Sequence, residues 1–233
     1  MHLNIGRPVL LLTLLGTMLL GASPALKYRP FSFHDMVIKT DLAVLGKIVE
    51  VGEQTFIVQV EIVLAGELPT EAEATRQLEV IRFGNWACAS RWAEYAVGQE
   101  VVLFLAKRTG ETGGYWIMSG GGEGEMPILE SEDEDGHTVK SVVVRGRDTM
   151  RIGELGAHRV LGGRAYGVAT ELNDFVTAVR GLHECYAFAP DPSSTERRKA
   201  WNATKRVHET RIAKLAKQSP IARLLVNEAR ALR

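Results

Sequence analysis

The stretch Thr55-Phe56-Ile57-Val58-Gln59-Val60-Glu61-Ile62-Val63-Leu64 decides the fold class. Phe56, Val58, Val60, Ile62 and Leu64 alternate strictly, with Thr55, Gln59 and Glu61 opposite, and a period of two places them on one buried face of an antiparallel strand. Upstream, Leu42 to Val51 carries apolar residues at both parities, a strand with at least one buried face and with Gly46 available for a bend. Gly52-Glu53-Gln54 between the two is short enough for a hairpin loop. Downstream, Gln77–Phe83, Glu100–Ala106 and Gly114–Ser119 read as the third, fourth and fifth strands, and Val139–Val144 as a sixth; their β-branched and aromatic content fits. The alanine-rich run from Asn85 to Tyr95 places Trp86, Trp92 and Tyr95 near helical spacing and reads as a short helix or compact loop plugging one end of a barrel. The predicted class is mainly β: an OB-type antiparallel barrel of five or six strands, with a short helix between strands three and four and with C-terminal α-helices.

The chain ends are read differently. Arg7, an apolar core from Val9 to Leu20 and the small residues of Ser23-Pro24-Ala25 have the layout of a signal peptide cleaved near Ala25, and the core is short against the roughly 20 apolar residues of a membrane span. The mature chain is then expected to be exported, periplasmic or extracellular. Towards the C-terminus, Thr170 is the expected cap of a helix whose Leu172, Phe175, Val176, Val179 and Leu182 share a face, with Gly181 at its end. Ser193-Ser194-Thr195-Glu196 is a capping box for a further helix. That helix carries Trp201, Thr204, His208, Ile212 and Leu215 on a narrow stripe, and Ser219-Pro220 starts another turn set with Ile221, Leu224, Leu225 and Ala229. The predicted organisation is a signal peptide over 1–25, a barrel domain over 26–152, a connecting segment with a packed helix over 153–190, and a basic amphipathic tail over 191–233.

The 233 residues carry 28 Lys and Arg against 28 Asp and Glu, so no global field draws the chain to nucleic acid, and the basic residues collect in the tail rather than in an aromatic-lined groove. Seven carboxylates lie between Glu123 and Asp135 without a Lys or Arg, whereas Thr195 to Arg233 has eleven Lys and Arg against three Glu. The acidic run lacks the spacing of a calcium loop and reads as solvated loop, and Gly120-Gly121-Gly122 before it reads as a strand exit rather than a phosphate loop. The basic tail has three open readings: peripheral contact with a membrane, binding of an acidic partner, or docking on the acidic loop. Cys88 and Cys185 are the only cysteines. Export permits a disulfide between them, and one buried plus one loop thiol is the alternative.

The runs Thr40–Val51 and Val58–Glu67, followed by Cys88 and then Tyr95–Leu105, resemble the netrin-like domains of the tissue inhibitor of metalloproteinases superfamily, above all their bacterial exported relatives. The likeness covers about Val37 to Ile128 and implies the barrel fold. The inhibitors of that superfamily begin with a zinc-chelating cysteine, whereas this chain would begin near Leu26, so metalloprotease inhibition does not carry over. Cys88 matches a family cysteine that pairs towards the N-terminus, where this chain has no partner; if bonded, its partner is Cys185.

No Gly-x-Ser-x-Gly elbow, His-Glu-x-x-His or Walker loop is present. His34, His137, His158, His183 and His208 are scattered, and His183-Glu184-Cys185 at a helix end would point its three groups in different directions. No catalytic residue, cofactor or metal site is therefore assigned. The expected function is an exported, non-enzymatic module that binds a protein or cell-envelope component, with Trp86, Trp92, Tyr95 and Trp201 as candidate partner-binding residues. The alternatives are an inhibitor or modulator of a secreted hydrolase, or an exported enzyme.

Overall fold

The computed structural model describes residues 31–84, 90–107, 114–118, 123–145, 158–187 and 209–231. The expected signal peptide, Trp86, Cys88, Gly120–Gly122, the capping box at Ser193–Glu196, Trp201 and His208 lie outside the described residues.

Helix α1 (Phe33–Lys39) precedes strands β1 (Leu42–Val51) and β2 (Thr55–Gly66). A single helical turn, α2 (Thr70–Glu73), leads into β3 (Gln77–Ile81), and β4 (Glu100–Lys107) and β5 (Tyr115–Ile117) follow. β1 pairs with β2 and β4, β2 with β3, β3 with β5 and β5 with β4, closing a five-stranded barrel in the Greek-key order of an OB-type fold. Its pairings are antiparallel except β3 with β5, which run parallel. Gly46 sits where the register of β1 shifts, and a Cβ there would stand 2.3 Å from the Gln59 carbonyl oxygen, so the bend requires glycine. The described part of the connection between β3 and β4, residues 82–84 and 90–99, is loop, so the short helix expected there is not found among the described residues.

Beyond the barrel the chain continues into β6 (Glu125–Glu132), β7 (Thr138–Val144), β8 (His158–Leu161) and β9 (Arg164–Glu171). β6 joins the far edge of β4, and the sheet proceeds β6-β7-β9-β8. The stretch read as an acidic solvated loop is thus largely a strand: its first two carboxylates, Glu123 and Glu125, are buried, and only the tip near Asp133 to Asp135 is a solvated turn.

Two cores share the walls of the barrel. Leu42, Val44, Ile48, Phe56, Val58, Val60, Val101, Leu103 and Leu105 fill its interior. The alternate residues Ala43, Leu45, Val102 and Phe104 face outward into a second core with Met126, Val142, Val144 and Val168. This explains the nearly continuous apolar runs of β1 and β4, because both faces of each strand are buried.

Helices close the second core. α3 (Leu172–Ala187) begins with Glu171, whose carboxylate accepts from the Asn173 and Asp174 N–H groups, so Glu171 is the cap in place of the expected Thr170. α4 covers 209–218 and α5 spans Pro220–Ala231, with Ser219 Oγ accepting from Ala222 N–H and Pro220 in the first turn. Phe33 of α1 stacks on Phe175 of α3 at 5.4 Å between ring centres and meets Phe104 edge-on at 6.0 Å. Gly181, expected at the end of α3, lies inside it: a Cβ there would come 2.5 Å from Leu215 Cδ1, so its bareness seats α4. Leu215, Ile221, Ala222, Leu225 and Val226 are buried against α3 and α1. The predicted divisions at 152 and 190 therefore do not follow the packing, since one core takes residues from Phe33 to Val226. The described part of the apolar strip of the expected tail, Ile212, Leu215, Ile221, Leu224 and Leu225, faces that core rather than solvent. Among the described residues no helix is long and apolar enough to cross a membrane.

Candidate functional site

Two features converge at the β3–β5 side of the barrel. One is a buried polar network in the loop leading to β4. Arg91 donates to Glu125 Oε1 from Nε at 2.9 Å and from Nη2 at 2.6 Å, to Gln99 Oε1 at 2.8 Å and to the Ala93 carbonyl at 2.6 Å. Its guanidinium also lies over the rings of Trp92, at 4.5 Å, and Tyr95, at 3.8 Å. The Tyr95 hydroxyl donates to Glu125 Oε2 at 3.1 Å and accepts from Phe83 N–H at 3.0 Å. Burial, reinforced by the Glu125 charge, holds the Tyr95 hydroxyl well above the usual phenol range.

The other is an open groove of about 440 Å³ lined by Phe31, Ile81, Arg82, Phe83, Trp116 and Ile117, together with Gly84. β5 supplies its wall by alternation: Tyr115 and Ile117 are largely buried, and Trp116 between them is 46% exposed. Phe83 and Arg82 belong to the chain leaving β3, and both are tied to the network beneath, Phe83 through its N–H on Tyr95 and Arg82 through a guanidinium 4.9 Å from the Tyr95 ring centre. Two of the lining residues are thus held through Tyr95 to the buried ion pair, and Trp116 lines the groove from β5.

Of the expected partner-binding residues, Trp92 and Tyr95 are brought together, but as the clamp around Arg91 and as packing on the barrel core, not as an exposed platform. The residues that do line an open apolar surface, Phe31, Phe83 and Trp116, were not among the candidates. Trp116 had a visible signal, since alternation along the predicted fifth strand sets it opposite Tyr115 and Ile117.

The remaining candidates separate. Cys185 is a buried free thiol, 4% exposed, and Cys88, considered as its disulfide partner, lies outside the described residues; burial pushes the Cys185 pKa up, against the opposing pull of Arg211. His183 accepts from Gly66 N–H at 3.4 Å through Nε2, which ties α3 to the end of β2. His137 stands 3.4 Å from Asp133 at the tip of the β6–β7 hairpin, where Asp133, Asp135 and His137 place one ligand atom each within 4.8 Å of one another. Asp133 Oδ1 there accepts from the Asp135 and His137 N–H groups, the bonding of a tight turn. Comparison with protein-family models, with characterised proteins and with solved structures returned no match.

Proposed function

We propose that this protein is an exported, non-enzymatic protein-binding module whose docking site is the groove on the outer side of the paired β3 and β5. The observation that carries the reading is Trp116, a large aromatic displayed on the outward face of a barrel strand beside Phe31, Ile81 and Phe83. Aromatic side chains next to an apolar cleft supply large contact area at low entropic cost, the usual makeup of an interface anchor. The resemblance to netrin-like domains and the leader-like N-terminus support the exported setting. Extended segments that lay alternate side chains into apolar clefts beside a strand are a recurrent mode of peptide recognition, and the groove runs beside β5.

Replacing Trp116 by the photoreactive p-benzoylphenylalanine in the full chain, expressed in its own cell, tests the reading. A discrete adduct from position 116, with no such adduct from the same group at Glu134 on the hairpin tip, is expected. Equal adduct patterns from both positions, or none from position 116, would refute a docking site at the groove.

A further inference from the structure

Arg82 has a role in this groove that its structural contacts do not exhaust. Its Nη1 donates to the Gly52 carbonyl at 2.8 Å and to the Glu53 carbonyl at 3.1 Å, so the hairpin between β1 and β2 fixes the side chain in place. One face of the guanidinium is set against Tyr95, itself anchored by Glu125. Among the described residues Nε and Nη2 donate no hydrogen bond, and no carboxylate forms an ion pair with this arginine. A half-buried cation with its orientation already set and donors to spare lies in the wall of an otherwise apolar groove. A guanidinium edge matches a carboxylate in plane and spacing.

We infer that the groove selects peptide segments in which an acidic side chain flanks a large apolar one, the apolar group packing on Trp116, Phe31 and Phe83 and the carboxylate meeting Arg82. This rests on the docking role proposed above and names its ligand class. The apolar lining argues for a peptide rather than a free inorganic anion, which would gain nothing from Phe31, Phe83 and Trp116. Pre-positioning also matters energetically, since an arginine already held by Gly52, Glu53 and Tyr95 loses little freedom when a ligand arrives.

The test is to pan a phage-displayed random-peptide library on the immobilised full chain, in the wild type, Arg82→Gln, Arg82→Lys and Trp116→Ala forms, each checked by thermal unfolding. Wild type is expected to enrich Asp or Glu next to Trp, Phe or Leu. Arg82→Gln is expected to keep the apolar residue and lose the acidic one, Arg82→Lys to keep part of the acidic preference, and Trp116→Ala to lose both. A synthetic enriched peptide should bind wild type about tenfold more tightly than its Glu→Gln form in calorimetry, the scale of one charge-assisted contact, and equally to both forms in Arg82→Gln. Apolar enrichment without an acidic neighbour, or an acidic preference that survives Arg82→Gln, would overturn the inference while leaving the groove. Absence of any Trp116-dependent enrichment would instead overturn the docking site itself.

Discussion

Replacing Glu125 by leucine should be among the most damaging single changes in the barrel. The carboxylate is 1% exposed and its partner Arg91 3%, so neither charge can turn to water when the other is removed. Glu125→Leu removes both Arg91–Glu125 hydrogen bonds and the Glu125 charge, and keeps the Arg91 bonds to Gln99 and the Ala93 carbonyl. Breaking a buried pair from one side costs about 3–5 kcal/mol. Because two of the Arg91 contacts survive, we place the loss near the lower end, about 3 kcal/mol, which for a domain of this size lowers the melting temperature by roughly 6–12 °C. The double variant Arg91→Met/Glu125→Leu should be more stable than the sum of the single losses, since apolar groups of similar volume replace such pairs at little cost, with the remaining deficit set by the Tyr95 hydroxyl and the Ala93 carbonyl, which each lose a partner. Urea unfolding of the four proteins followed by circular dichroism yields the coupling energy directly. A single variant losing less than about 1 kcal/mol, or a double variant as unstable as the sum of its parts, would refute the account of the pair as a buried clamp.

Tyr95→Phe removes the acceptor of Phe83 N–H and a donor to Glu125, and should cost about 1–3 kcal/mol at neutral pH. Its pH dependence has a definite sign: the folded phenol titrates above the unfolded value of about 10, so its stabilisation is whole below that pH and is lost as pH rises beyond it. The variant's stability should therefore fall less steeply than wild type above about pH 10, and parallel alkaline limbs in urea titrations would contradict this. Iodoacetamide applied to the native, unreduced protein should spare the peptide carrying Cys185 and modify it after unfolding in urea, also without reductant; modification in the native state would contradict the buried thiol, and protection after unfolding would indicate a bond. A chain ending at Pro190 loses Leu215, Ile221, Leu225 and Val226 from the core, at about 1.5–3 kcal/mol each. That sum rivals a whole domain's stability of about 5–15 kcal/mol, so the truncated form should lack a cooperative melting transition, and a wild-type-like melt would refute the placement of α4 and α5.

How far the sequence could be read depended on where each residue finds its partner. The barrel strands were legible because the partners of Phe56, Val58 and Val60 lie on one predictable face, and period two reports that face directly. β6 was not legible: Glu125 looks solvated beside Glu130 and Glu132 until Arg91, 34 positions upstream, supplies its counter-charge. The β8–β9 hairpin had a local signal that the surrounding Gly- and Arg-rich stretch obscured. Gly162 and Gly163 both take positive φ, 57° and 73°, the two-residue turn that a Gly-Gly pair between strands encodes. The groove was legible only in part, since alternation turns Trp116 outward but nothing local brings Phe31 or Phe83 beside it.

The second core also gives the C-terminal basic residues a different meaning. A helix that is basic on one side and thinly apolar on the other suggests a surface-binding element when read alone. Once Gly181 admits Leu215 and α5 lays Ile221, Leu225 and Val226 on the same apolar floor, that thin stripe is wide enough, because two helices share the task of covering α3 and α1. Arg211, Lys214, Lys217 and Arg223 are then the solvated side of a core helix pair, and their exposure follows from the burial of the residues between them. The outward face of β5 has no such explanation. The neighbours of Trp116 on its own strand, Tyr115 and Ile117, belong to the barrel core, and Trp116 lines an open, largely apolar groove in which Arg82 is already oriented. Burial accounts for the apolar residues of the helices, whereas the half-exposed Trp116 beside Phe31 and Phe83 forms an apolar surface patch of the kind that interaction sites present.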